Sequence, residues 1–140
     1  MNVYLESSAA LRDLLEGEHA ESIRDTLRQA EMVATSRLTL AEVARVFARL
    51  RVLEPIIAGA SAARQAQFEN ESELWTIYPV DEAIWTRCSR PFPVEPVRTL
   101  DALHLATVEQ LSGFLGHLIV LSTDQRIRDN ATALGFAVRP

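Results

Sequence analysis

Four carboxylates stand where chemistry is possible. Glu6 ends the short apolar run Val3–Leu5, and Asp124 follows the apolar run Leu118–Leu121 by three residues. Glu42 and Asp101 each fall near the start of a helical pattern. Asp101 is the most informative of them. It opens Arg98-Thr-Leu-Asp-Ala-Leu-His-Leu-Ala106, with Thr99 as the expected N-cap. Leu100, Leu103, Leu105, Ala106, Val108 and Leu111 then place apolar side chains nearly all round, as in a helix buried on most faces. A carboxylate in such company is costly unless something cationic meets it. The helix dipole contributes only about 0.3–1 kcal/mol at an exposed end. An arginine, a metal ion or a buried hydrogen-bond network must supply the rest. Pairing with Arg98 at the helix mouth is the plainest of these.

The elements that would position these acids alternate between strand and helix. Val3–Leu5 reads as a first strand, followed by a helix through Ala9, Leu11 and Leu14 that Gly17 closes. A second helix runs from His19 to about Ala30, and Met32–Thr35 is a second strand, short and apolar like a buried parallel strand. Leu40, Val43, Val46, Phe47, Leu50 and Leu53 form an amphipathic stripe, with Thr39 as cap and Glu42 three residues on, as in a capping box. Pro55 starts a further helix to about Glu71, so the two form a projecting helical hairpin. Leu74–Tyr78 has strand composition. Asp81–Arg90 is predicted helical, with Ala83, Ile84 and Trp85 as core candidates. The proline-rich stretch Pro91–Pro96 delivers the chain in extended form to the Asp101 helix. Leu118–Leu121 is a strand, a helix runs on to Gly135, and Phe136–Val138 is the last strand. Such alternation predicts an α/β, three-layer domain over residues 1–140, with a central, mainly parallel sheet flanked by helices.

In open parallel sheets ligands bind beyond the carboxyl ends of the strands. That places Glu6 and Asp124 on one rim, where the starts of the Glu42 and Asp101 helices can join them. Carboxylates crowded there repel one another, and divalent cations relieve the repulsion. Hard oxygen ligands suit Mg²⁺ or Mn²⁺, while no Cys/His cluster argues for zinc. Ser7, Ser8 and Thr123 add hydroxyls able to orient a water or a phosphate oxygen, although an N-cap role suits Ser8 at least as well. His104 reads as a packed, hydrogen-bonded histidine, since hard cations do not favour imidazole. Asp81 and Asp129 read as solvated helix residues, and Trp75 and Trp85 as core. Arg37, Arg98 and Arg126 read by default as solvated charges, and as the candidates should a phosphate need a bidentate partner here.

Composition narrows the field. The chain has 140 residues, 48% of them hydrophobic and 24% charged, as in ordinary globular domains. No apolar run approaches the roughly 20 residues that span a bilayer. The N-terminal residues do not read as a secretory signal, and Cys88 is the single cysteine. A cytoplasmic protein without a membrane partner is expected. The net charge of −5 has the wrong sign for a broad nucleic-acid-coating face, but it leaves room for a site in which cations screen acids. All 14 basic residues are arginine. Without lysine, receiver-like and haloacid-dehalogenase-like phosphoryl chemistry lacks its usual partner. No Gly-x-Gly-x-x-Gly follows the first strand, which removes a dinucleotide fold.

Taken together, Val-Tyr-Leu-Glu-Ser-Ser-Ala at 3–9, Thr-Leu-Ala-Glu-Val at 39–43, Arg-Thr-Leu-Asp-Ala-Leu-His-Leu-Ala at 98–106 and Leu-Ser-Thr-Asp at 121–124 resemble the PIN-domain family, and within it the VapC-like toxins of toxin–antitoxin pairs. The resemblance implies a metal-dependent endoribonuclease with Glu6, Glu42, Asp101 and Asp124 as its acids, and Thr123 in support. It also implies a homodimer and an antitoxin that lays a segment across the groove, with the helical hairpin as the surface it embraces. One departure is Glu6, since the family's first acid is usually aspartate. The extra methylene leaves a second reading open: a PIN-like binding or regulatory module with weak or no nuclease activity.

Overall fold

The computed structural model describes residues 1–140. Its elements are β1 (Asn2–Leu5), α1 (Ser7–Leu14), α2 (Ala20–Gln29), β2 (Met32–Ser36), α3 (Arg37–Leu53), α4 (Pro55–Ser72), β3 (Thr76–Tyr78), α5 (Glu82–Cys88), α6 (Thr99–Leu115), β4 (Leu118–Leu121), α7 (Gln125–Ala133) and β5 (Ala137–Arg139). The strands form one sheet in the order β3-β2-β1-β4-β5, and every pairing is parallel. The expected α/β, three-layer architecture is thus observed, with a sheet that is parallel throughout.

Strand alternation divides the core. Val3 and Leu5 of β1, with Ile119 and Leu121 of β4, face a cluster formed with Ala9, Leu14, Ile23, Val43, Phe47 and Phe68. Tyr4, Leu118 and Val120 face the opposite layer, packing with Ile84, Leu103, Leu105, Val108, Leu111 and Ile127. Helices α1–α4 therefore cover one face and α5–α7 the other. The chain adds β2 and β3 on one side of β1, then crosses to add β4 and β5 on the other. That reversal makes the carboxyl ends of β1 and β4 the crevice where an α/β sheet takes ligands.

Several local expectations are corrected. Ser36, not Thr39, caps α3, accepting Leu38 N–H at 3.1 Å. Thr39 lies one turn in, fully buried, so Glu42 is not the reciprocal partner of a capping box. Arg98, not Thr99, occupies the N-cap of α6 and offers no side-chain cap bond. After α1, the left-handed position falls on Glu16 (φ 52°), not Gly17. Gly17 leaves room for Arg12 instead, since a Cβ there would lie 2.9 Å from Arg12 Cδ and displace that exposed side chain. Trp85 is 50% exposed and Ala83 is exposed, so Ile84 alone carries that part of the core. Trp75 is half-buried edge-on against Phe68. Asp81 caps α5 through Ile84 N–H and accepts the Tyr78 hydroxyl. The α3–α4 hairpin buries Val43, Phe47, Ala58 and Phe68 and leaves Val52, Leu53, Ile56 and Ile57 exposed at its turn.

Candidate functional site

At the rim, Glu6 follows β1 directly, and its N–H donates to Leu121 O at 3.0 Å, extending the β1–β4 register by one bond. Its side chain is buried and folds back to cap α1, accepting Ser8 N–H at 3.1 Å. The Ser8 and Ser122 hydroxyls donate to the same carboxylate oxygen, the latter at 2.7 Å. Ser8 Oγ in turn accepts Thr123 N–H (2.9 Å) and Asp124 N–H (3.1 Å), stitching the first turn of α1 to the loop after β4. Asp124 caps α7 by accepting Arg126 N–H and Ile127 N–H, which fixes its carboxylate at the rim.

Glu42 Oε1 accepts Ser7 Oγ–H at 2.8 Å and His104 Nε2–H at 2.7 Å. The other imidazole nitrogen lies 2.8 Å from the Tyr4 hydroxyl. Burial, with the charges of Glu6 and Glu42 behind it, holds the Tyr4 hydroxyl well above its ordinary pKa of 10.0. The hydroxyl is therefore protonated, and Nε2–H of the imidazole faces Glu42. Burial pushes the Glu42 carboxyl up, but the hydrogen bond and charge of His104, with Ser7, outweigh it and bring it below its ordinary value.

Asp101, in the first turn of α6, is the outlier. Its Oδ2 is buried and has no hydrogen-bond partner. Arg98 Nε stands 3.5 Å away, an ion pair at the outer limit of hydrogen-bond distance, on a side chain that is 76% exposed. Burial first and the Asp124 charge second raise the Asp101 carboxyl, with Arg98 and His104 opposing. Such a shift marks an acid whose negative charge is under-compensated.

Glu6, Glu42, Asp101 and Asp124 line one open cleft of about 400 Å³, together with Ser7, Ser8 and Arg98. Thr123 is not on this cleft; its N–H holds Ser8, and the residue lines the adjoining depressions. Among the expected phosphate partners, Arg126 donates to Pro96 O at 3.0 Å, and only Arg98 reaches the cleft. Ser8 is neither the cap of α1 nor idle, because Glu6 itself is the cap. Ser122 and Tyr4 are absent from the residues that sequence reasoning singles out. Tyr4 carries a usable signal, since a tyrosine within a short buried strand must find a partner for its hydroxyl.

The rim supplies oxygen donors only, four carboxylates against one exposed arginine, and a buried oxygen with no partner. That donor set fits a hard divalent cation. No three acidic or histidine groups come close enough to enclose an ion by themselves. An ion held here would have to keep several of its waters.

A parallel five-stranded sheet with acids on its carboxyl rim defines a class, and the chain belongs to the PIN-domain family, whose model matches residues 3–132 and so spans Glu6 to Asp124. It is 32% identical over 136 residues to Ribonuclease VapC46 of Mycobacterium tuberculosis (strain ATCC 25618 / H37Rv), covering 97% of this chain and 95% of that protein. Its fold is similar to that of FitAcB from Neisseria gonorrhoeae (TM-score 0.70, 21% identity, 100% of this chain and 97% of that one). It is also similar to VapBC2 from Rickettsia felis bound to a DNA fragment from their promoter (TM-score 0.67, 10% identity, 99% and 98%). No helix is long and apolar enough to cross a membrane.

Proposed function

We propose that this chain is a metal-dependent endoribonuclease, the toxin component of a VapBC-type pair, acting as one unit over residues 1–140 in the cytoplasm. The observation that carries the reading is the orphaned Asp101 Oδ2 in a cleft shared with Glu6, Glu42 and Asp124. The similarity to a ribonuclease over nearly the whole chain supports it. Asp101 and Glu42 are the residues that would hold Mg²⁺ or Mn²⁺ directly or through water, with Glu6 central and Asp124 serving a second position. When bound, the cation offsets charge on the phosphodiester and makes water a better nucleophile.

The remaining work falls to the chain itself. His104 and Ser7 aim one Glu42 oxygen and keep that carboxyl ionised, so it enters the reaction as an acceptor. Ser8 and Ser122 hold Glu6 rigid against the sheet edge. In hydrolysis the water oxygen forms the new bond to phosphorus as the P–O bond to the leaving oxygen breaks, and the rim acids accept the proton that water gives up. An open cleft suits attack within a strand.

Asp101→Asn tests the reading: Mg²⁺-dependent cleavage of labelled RNA should vanish while circular dichroism stays unchanged, and calorimetric Mn²⁺ affinity should fall. A variant that cuts like its parent overturns it. The engagement of Glu6 by three donors favours a second reading, a PIN-like binding or regulatory module, and a parent chain without millimolar metal affinity would select it. An antitoxin partner and a homodimer belong to the same proposal. The two-component names of the structural neighbours support the former, and light scattering of the purified chain checks the latter.

A further inference from the structure

The acidic cleft does not end at its carboxylates. It opens into a depression of about 390 Å³ with which it shares Ser8, Leu11 and Asp124. That depression meets a third, of about 350 Å³, at Arg12 and Thr123. The three make a continuous trough whose charge changes sign along its length. At one end stand four carboxylates and Arg98. At the other stand Arg12, Arg128, His19 and Gln125, with Glu18 3.5 Å from His19 as the one acid there.

Several arginines elsewhere are neutralised. Arg24 and Arg64 are bound to Asp13, Arg28 to Asp25 and Arg87 to Glu109. Arg12 and Arg128 have no aspartate or glutamate oxygen within the 4.0 Å of an ion pair. Arg128 donates to Ser122 O at 2.8 Å and to Pro140 O at 3.4 Å, which orients the guanidinium. Arg12 lies across Gly17, where even a methyl group would meet its Cδ at 2.9 Å. Between the two ends, Leu11 and Leu15 give the trough an apolar stretch.

We infer that the Arg12–Arg128 end of the trough binds the sugar–phosphate backbone of single-stranded RNA beside the acidic cleft, supplying the substrate affinity that a rim of carboxylates cannot. A polyanion is repelled by the acids and held by uncompensated guanidinium groups, so binding and hydrolysis occupy different ends of one trough. The apolar stretch selects single strands, whose unstacked bases can lie against Leu11 and Leu15, over duplexes, whose bases are stacked inside. The inference rests on the nuclease reading and adds the residues that hold the substrate.

The test is fluorescence anisotropy with a 5′-labelled single-stranded RNA of about 12 nucleotides and mixed sequence, long enough for one such groove, using the full chain carrying Asp101→Asn to prevent cleavage. In that background Arg12→Ala and Arg128→Ala should each weaken binding about fivefold, and the slope of log K against log salt should fall by about 0.7 for each phosphate no longer neutralised. Gly17→Ala, which displaces Arg12 but keeps its charge, should weaken binding to a smaller degree. Arg51→Ala, on the exposed far end of α3, should change it less than twofold. Arg12 is on an exposed helix face, so its variant does not depend on refolding around Arg128. Affinities within twofold of the parent for both trough variants overturn the inference, as does an equal loss from Arg51→Ala. A glutamate-rich peptide that binds the parent but not the arginine variants, with RNA binding intact in all of them, also overturns it and assigns the surface to a protein. If the chain with its native Asp101 cuts RNA while the arginine variants bind like their parent, only this inference fails. If that chain cuts none and binds no metal, the nuclease reading fails with it.

Discussion

Two aspartates, Asp13 and Asp101, receive opposite treatment. Asp13, in α1, is 1% exposed and met by Arg24 Nε at 2.6 Å and by the Arg64 guanidinium. Those arginines also reach Glu16 (2.5 Å) and Glu71 (3.3 Å), so one ion-pair cluster ties α1 to α2 and α4. Hydrogen bonds from Arg24 to Glu16 and then Asp13 push its guanidinium above the ordinary value, as expected of a charge locked in place. Asp101 is mostly enclosed, yet its Oδ2 has no partner and its one cation is an exposed arginine. Where charge serves cohesion, the chain provides its own buried counter-ions; at Asp101 it provides only an arginine exposed to water.

The contrast is easiest to break at Asp13. Asp13→Ala takes the buried partner from two guanidinium groups, leaving each only its outer acid, and should cost about 3 kcal/mol, read as a fall of order 10 °C in a thermal melt. A loss below about 1 kcal/mol would mean that the cluster is solvated and the contrast false. Tyr4→Phe probes the third arrangement, a carboxylate held through His104 and Tyr4. It should cost about 1–3 kcal/mol in urea unfolding by leaving His104 Nδ1 buried without its partner.

Asp101→Asn should cost no stability at neutral pH, and its pH dependence carries the sign. The Asp101 carboxyl lies above its ordinary 3.8 in the folded chain, so its contribution to stability is full below that value and is lost as pH rises through the raised one. Glu42 lies below its ordinary 4.5, so its contribution is full above that value and is lost as pH falls through the lowered one. Relative to the native chain, Asp101→Asn should gain stability between about pH 3 and about pH 7 and Glu42→Gln should lose it, as followed by urea unfolding at both ends of that range. Parallel trends would sink the assignment. The smallest effect belongs to Arg98→Ala, within about 0.5 kcal/mol because the pair is open to water, and it should raise the Asp101 carboxyl further by NMR titration.

Much of this architecture is readable from periodicity. Val3–Leu5 and Leu118–Leu121 are continuous apolar runs because strands covered on both faces have no polar side to show. Glu6 and Asp124 follow them closely, so the sheet rim is legible once the strands are. Caps are less so. Ser36 and Thr39 are three residues apart, either could stop the first turn, and only the length of β2 decides between them. The back-folding of Glu6 depends on Ser122, 116 positions away, and no local pattern announces that pairing. The Asp13 cluster is hidden for the same reason, since Arg24 and Arg64 lie 11 and 51 residues further along. Trp85 misleads because an aromatic residue next to a buried Ile84 looks like core, whereas one step along α5 rotates the side chain by about 100° and turns it outward.

The Ser8 hydroxyl, spanning 115 residues to Thr123 N–H, has a consequence for biosynthesis. A ribosome-bound fragment that stops short of β4 already contains Glu6, Glu42 and Asp101 but has no platform to hold the first of them against the third. On the nuclease reading, the site therefore cannot assemble in the nascent polypeptide before β4 and the loop that follows it have been made.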